Sequence, residues 1–109
     1  MIKVVIVDDE ISAIKSLKWE IENFCDGIEI CDSFTDPFEA ISAINHLKPD
    51  CVFLDIEMPE MDGFQLLNSL KFREFDLIIT TAFDNYAIRA FKESAVYRYL
   101  MNTPSGWYY

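Results

Sequence analysis

The chain has 109 residues, enough for one domain around a single core. Apolar residues make up 51% and aromatic ones 15%, which excludes a disordered segment, and no apolar run approaches the roughly 20 residues that cross a bilayer. Against 9 basic residues stand 19 acidic ones, and the net charge of −10 repels phosphate backbones, so nucleic-acid binding by this segment is not expected.

Lys3 to Val7 is a short β-branched run ending in Asp8-Asp9, the pattern of a buried strand followed by a loop. It turns acidic too soon for a secretory signal, and a cytoplasmic location is expected. Ile11, Ile14, Leu17, Ile21 and Phe24 recur three or four apart with charged residues between them, which predicts an amphipathic helix ended by Gly27. Ile28 to Phe34 alternates apolar and acidic residues, as a strand at a sheet edge does. Asp36-Pro37-Phe38-Glu39 then opens a second helix with an acidic cap, a proline at its first position and a glutamate three after the cap. Ala40, Ile41, Ile44 and Leu47 form its apolar stripe, and Lys48-Pro49 closes it.

Cys51 to Leu54 is continuously apolar and ends in Asp55, which predicts a strand covered on both faces, as in a parallel sheet. Met58-Pro59 and Asp62-Gly63 mark a turn, followed by a short helix carrying Phe64, Leu66, Leu67 and Leu70. Leu77 to Thr80 reads as a fourth strand, Tyr86 to Glu93 as a helix and Ala95 to Met101 as a fifth strand. This alternation predicts an α/β fold, a doubly wound parallel five-stranded sheet in one domain. Phe34, Phe38, Phe53 and Phe64 have core spacings. Cys25, Cys31 and Cys51 contain no Cys-x-x-Cys pair, so buried reduced thiols are expected instead of a disulfide framework or a zinc site. His46, the single histidine, is expected near a helix end.

In an open parallel sheet, ligands sit outside the carboxyl ends of the strands. Asp8-Asp9, Asp55 and Thr81 all follow predicted strands there. A single acid at a strand end commonly just initiates a turn. Three converging on one crevice repel one another, and a divalent cation with oxygen ligands, Mg2+ above all, removes that repulsion. A carboxylate beside such an ion can be a nucleophile for phosphoryl transfer, and a Thr81 hydroxyl can then bind the phosphoryl group.

Val4-Val5-Ile6-Val7-Asp8-Asp9-Glu10, the segment from Val52 through Asp55 and Met58-Pro59 to Asp62-Gly63, and Thr80-Thr81-Ala82 resemble the receiver domains of bacterial response regulators. The resemblance runs from about Lys3 to about Met101, sets a receiver domain at residues 1–101 and implies a flavodoxin-like (βα)5 topology. It implies that Asp55 accepts a phosphoryl group from a sensor histidine kinase. It further implies that Asp8, Asp9, Asp55 and the backbone carbonyl of Glu57 bind Mg2+, and that Thr81 and Tyr99 act as the switch pair. Thr81 to Phe91 looks like the subgroup often joined to a LytTR-type DNA-binding domain. The family also suggests a homodimer through the fourth-helix and fifth-strand region, carrying Tyr86, Ile88, Phe91 and Tyr99, although packing of that helix on the sheet would equally explain these residues.

One departure stands out. Where such receivers carry a lysine before a proline, this chain has Met101 or Asn102, depending on whether Thr81 or Tyr99 anchors the count. Residues 102–109 form an atypical tail without helical periodicity in place of a final helix, which points to an incomplete or altered C-terminus. Loss of the lysine removes one charge-assisted hydrogen bond, generally about 1.5–3 kcal/mol, so phosphorylation is expected with weak conformational coupling. Two other readings compete. One is a receiver-like interaction module that works without phosphorylation. The other is a small haloacid-dehalogenase-like phosphohydrolase, suggested by Asp55-Ile56-Glu57, in which Glu57 would serve as the general acid/base.

Overall fold

A computed structural model describes residues 1–80. Four strands and three helices alternate in it: β1 (Ile2–Val7), α1 (Ile11–Phe24), β2 (Ile28–Phe34), α2 (Pro37–Leu47), β3 (Cys51–Leu54), α3 (Gly63–Ser69) and β4 (Asp76–Ile79). All strand pairs are parallel, in the order β2-β1-β3-β4. The predicted helix at Tyr86–Glu93, the fifth strand at Ala95–Met101 and the tail 102–109 lie outside the described residues. No described helix is long and apolar enough to cross a membrane.

Side-chain alternation along the strands assigns the two faces of the sheet. Val5, Val7, Val52, Leu54, Leu77 and Ile79 pack with Ala40 and Ile44 of α2 and with Phe64, Leu66 and Leu67 of α3. Val4, Ile6, Cys51 and Phe53 point the other way, onto Ile14 and Ile21 of α1. Burying a side chain of this size contributes about 1.5–3 kcal/mol, so both faces hold the sheet. The first crossover runs from β1 outward to β2, and the next returns past β1 to β3. With right-handed connections, α1 and α2 must lie on opposite faces, and the strand order reverses between β1 and β3.

β2 is the edge strand the alternation predicted, with no residue fully buried. Its register against β1 slips between Val4 and Val5, whose partners are Ile30 and Asp32, so Cys31 is an extra residue. The bulge changes the parity of the strand. Ile28 and Ile30 therefore join the α1 side, while Cys31 and Phe34 join the α2 side.

The helix boundaries follow local chemistry. The Asp36 carboxylate accepts the Phe38 N–H at 2.9 Å and caps α2, with Pro37 inside the first turn. Lys48 closes that helix in the left-handed conformation at φ 48°, and His46 sits in its last turn. α1 ends at Phe24, before Gly27, which takes φ 75° in the turn into β2.

Several burial expectations are corrected. Ile11 (60% exposed), Phe24 and Leu47 lie at the margins of their helical stripes, and Phe38 on α2 is likewise exposed. The period of a helix fixes direction but not how far the sheet extends beneath its ends. Of the thiols, Cys51 alone is buried; Cys31 is half-buried and Cys25 exposed. The fourth strand begins at Asp76 and ends at Ile79, one residue earlier at each end than predicted.

Candidate functional site

The strand register builds the site. Val7 pairs with Leu54 across β1 and β3, so the next residues, Asp8 and Asp55, emerge side by side at the carboxyl edge. Hydrogen bonds carry the pairing one residue further: Asp55 N–H donates to Val7 C=O at 3.0 Å, and Asp8 N–H to Phe34 C=O at 3.1 Å. Leu54 also pairs with Ile79, and the Thr80 N–H donates to Leu54 C=O at 2.9 Å. Thr80 thus reaches the same level as Asp55. Thr81 and Tyr99 lie outside the described residues.

Among the described residues, Asp8, Asp9 and Asp55 each offer a carboxylate oxygen within 4.8 Å of the others. Two come from one strand end and the third from its neighbour, at the point where the strand order reverses. Asp8 and Asp55 are half-buried. The Glu10 N–H donates to Asp8 Oδ1 at 2.9 Å and the Glu57 N–H to Asp55 Oδ1 at 3.1 Å. One backbone donor on each does not balance the crowding.

The electrostatics record the deficit. Burial, then the Asp8 charge, push the Asp55 carboxyl up to about 7; the Glu57 N–H opposes this, while a hydrogen bond with Asp9 and the Asp9 charge reinforce it. Asp8 is raised as well, chiefly by burial, with the Glu10 N–H opposing and Asp9 adding to the rise. Such a triad holds a proton at neutral pH or accepts a cation. A hard, oxygen-only donor set of three carboxylates fits Mg2+. Glu57 is exposed, and the bond it makes to Asp55 is from its backbone N–H.

Two features of the loop after Asp55 escaped the sequence reading. Asp62 and Gln65 form a reciprocal capping box, with Gln65 N–H to Asp62 Oδ1 at 2.9 Å and Asp62 N–H to Gln65 Oε1 at 3.0 Å. The Asp-x-x-Gln spacing was the available signal. The second is a double acceptor: Ile56 C=O receives the N–H groups of Met58 (3.2 Å) and Gly63 (2.9 Å), closing the loop on itself. Nothing in the sequence marks that carbonyl.

Comparison with known proteins agrees with this geometry. A family model described as the response regulator receiver domain matches residues 4–101. An uncharacterised response regulatory protein of Yersinia pestis is 45% identical over 96 residues, covering 87% of this chain and 40% of that protein. Transcriptional regulatory protein BtsR of Escherichia coli K12 is 42% identical over 97 residues, again covering 87% and 40%. Among solved structures, the response regulatory domain of mrkE from Klebsiella pneumoniae superposes with a TM-score of 0.72 at 32% identity, covering 92% of this chain and 89% of that one. The chain therefore spans about 40% of the length of these curated relatives.

Proposed function

Because this chain belongs to the response regulator receiver domain family, we propose that it is a phosphoacceptor signalling module whose Asp55 takes a phosphoryl group from a sensor histidine kinase in a Mg2+-dependent reaction. The observation that carries this is the convergence of Asp8, Asp9 and Asp55 within 4.8 Å at the strand-order reversal of a receiver fold. Asp8, Asp9 and Asp55 would hold the ion, with the Glu57 carbonyl as a further ligand. When bound, Mg2+ supplies positive charge that offsets the phosphoryl oxygens and keeps the carboxylates ionised.

The rest falls to the chain's own residues. An ionised Asp55 oxygen attacks phosphorus in line, a phosphorus–oxygen bond forms, and the bond to the donor histidine nitrogen breaks. Asp55 must be unprotonated to do so, and without a cation its burial and the Asp8 charge leave it partly protonated near neutral pH. The Glu57 N–H fixes one Asp55 oxygen and so orients the other. Thr81 would bind the transferred group and Tyr99 would respond to it. No turnover of an external substrate belongs to this scheme.

The finer placing, with receivers joined to LytTR-type DNA-binding domains, is supported by Thr81 to Phe91, and a transcriptional output is supported by the name of the relative BtsR, a transcriptional regulatory protein. In that scheme the output lies outside this chain, a homodimer forms through the fourth-helix and fifth-strand region, and this acidic segment leaves DNA to the output. A phosphorylation-independent interaction module remains the second reading, favoured by Met101 or Asn102 at the lysine position. The phosphohydrolase reading gains no support, since an exposed Glu57 lends Asp55 only its N–H.

Incubating the chain with acetyl phosphate and Mg2+ and weighing the intact protein tests the proposal. One phosphoryl increment is expected, absent in Asp55→Asn and with a chelator. An unlabelled wild-type chain, or an increment that survives Asp55→Asn, overturns it.

A further inference from the structure

We propose that Gly63 is a positioning residue for the phosphoacceptor, kept free of a side chain so that the first turn of α3 can lie against the backbone of Asp55 and Ile56. This rests on the functional reading of Asp55 given above. A Cβ built on Gly63 would stand 2.6 Å from Ile56 Cδ1, 2.9 Å from Ile56 Cα and 3.1 Å from the Asp55 carbonyl oxygen. The first contact involves a side-chain tip. The other two are backbone atoms of the acceptor and its neighbour, and they yield only if the acceptor strand end moves.

Neither side of this contact is free to give way. Ile56 is 1% exposed, within the core cluster that also holds Phe64 and Leu66. Opposite it, the capping box of Asp62 and Gln65 fixes the turn that carries Gly63, and the Gly63 N–H is bonded to Ile56 C=O. Asp55 Oδ1 is held in turn by the Glu57 N–H, one residue beyond Ile56. Pressure at position 63 therefore reaches both the attacking carboxylate and the backbone of Glu57. Backbone freedom is not the reason for glycine here, because Gly27 is the positive-φ glycine among the described residues. Gly63 is the first residue of α3, where alanine is at least as good a helix former as glycine, so any loss on substitution arises from the contact itself.

Three variants of the full chain separate positioning from packing. Gly63→Ala is expected to weaken Mg2+ binding by roughly ten-fold or more, in the range seen when groups supporting metal ligands are disturbed, and to slow labelling by acetyl phosphate in parallel. Adding Ile56→Val removes the Cδ1 contact and leaves both backbone contacts. The double variant should then recover part of the melting temperature lost in Gly63→Ala, while its Mg2+ affinity stays about ten-fold below that of Ile56→Val. Recovery of affinity together with stability would reduce Gly63 to a packing position and overturn the inference. So would Gly63→Ala binding Mg2+ as tightly as wild type. A wild-type chain that neither binds Mg2+ nor labels overturns the functional reading, and this inference with it.

Discussion

The two ends of the sheet use the same residue type for opposite purposes. At the amino end, the Asp50 carboxylate accepts the Lys3 N–H at 2.9 Å, and the Asp50 carbonyl accepts the Asp76 N–H at 2.9 Å. These acids complete backbone pairing where β3 and β4 begin. Their charges reinforce burial in pushing the neighbouring Cys51 thiol up to about 12, which leaves it protonated and unreactive. At the carboxyl end, Asp8, Asp9 and Asp55 face one another, and burial with mutual repulsion raises Asp55 and Asp8. An acid beside a strand thus says little until strand direction and register are known. Where register brings carboxylates together instead of onto free N–H groups, the fold carries a cost that a cation can remove.

The sharpest way to break this comparison is to delete acids at each end. Replacing Asp8 and Asp9 with Ala should weaken Mg2+ binding by on the order of 100-fold or more, as loss of direct ligands exceeds loss of their supports. Asp50→Ala should leave that affinity unchanged while costing about 1 kcal/mol of stability from the lost bond to Lys3. Calorimetric titration and urea unfolding read the two effects.

A smaller effect separates the ends by pH. The folded state raises Asp55 from an ordinary carboxylate value to about 7. Between those values the folded state binds the proton more tightly than the unfolded one, so protonation stabilises the fold. This stability is fully present below about pH 4 and is lost as pH rises through 7. Because Asp55 is half-exposed, solvent screening cuts the effect to on the order of 1 kcal/mol. Urea unfolding without Mg2+ should therefore show Asp55→Asn gaining on wild type between pH 5 and pH 8, with Mg2+ narrowing the gap.

Much of this was legible in the residues. The continuous apolar run at Cys51–Leu54, the capped start of α2 at Asp36-Pro37 and the acids after the first and third strands each state a local rule that the fold obeys. Together they gave a doubly wound parallel α/β sheet, to which the family resemblance added the flavodoxin-like receiver topology, and the parallel register that follows makes Asp8 and Asp55 neighbours. What remained hidden depends on distance across the chain. Exposure of Phe24 and Phe38 is decided by where the sheet stops beneath a helix. The bulge at Cys31 is decided by which face Phe34 must join. The role of Gly63 is decided by the approach of α3 to Ile56, some seven residues back, which spacing alone does not encode.

The most direct test of the central claim is an NMR pH titration of the Asp55 side-chain carboxyl, with and without saturating Mg2+. Without the ion Asp55 should titrate near 7, and with it the midpoint should fall below the ordinary carboxylate value. An Asp55 that titrates at the ordinary value and ignores Mg2+ would contradict the claim that these three carboxylates form one cation-dependent acceptor site.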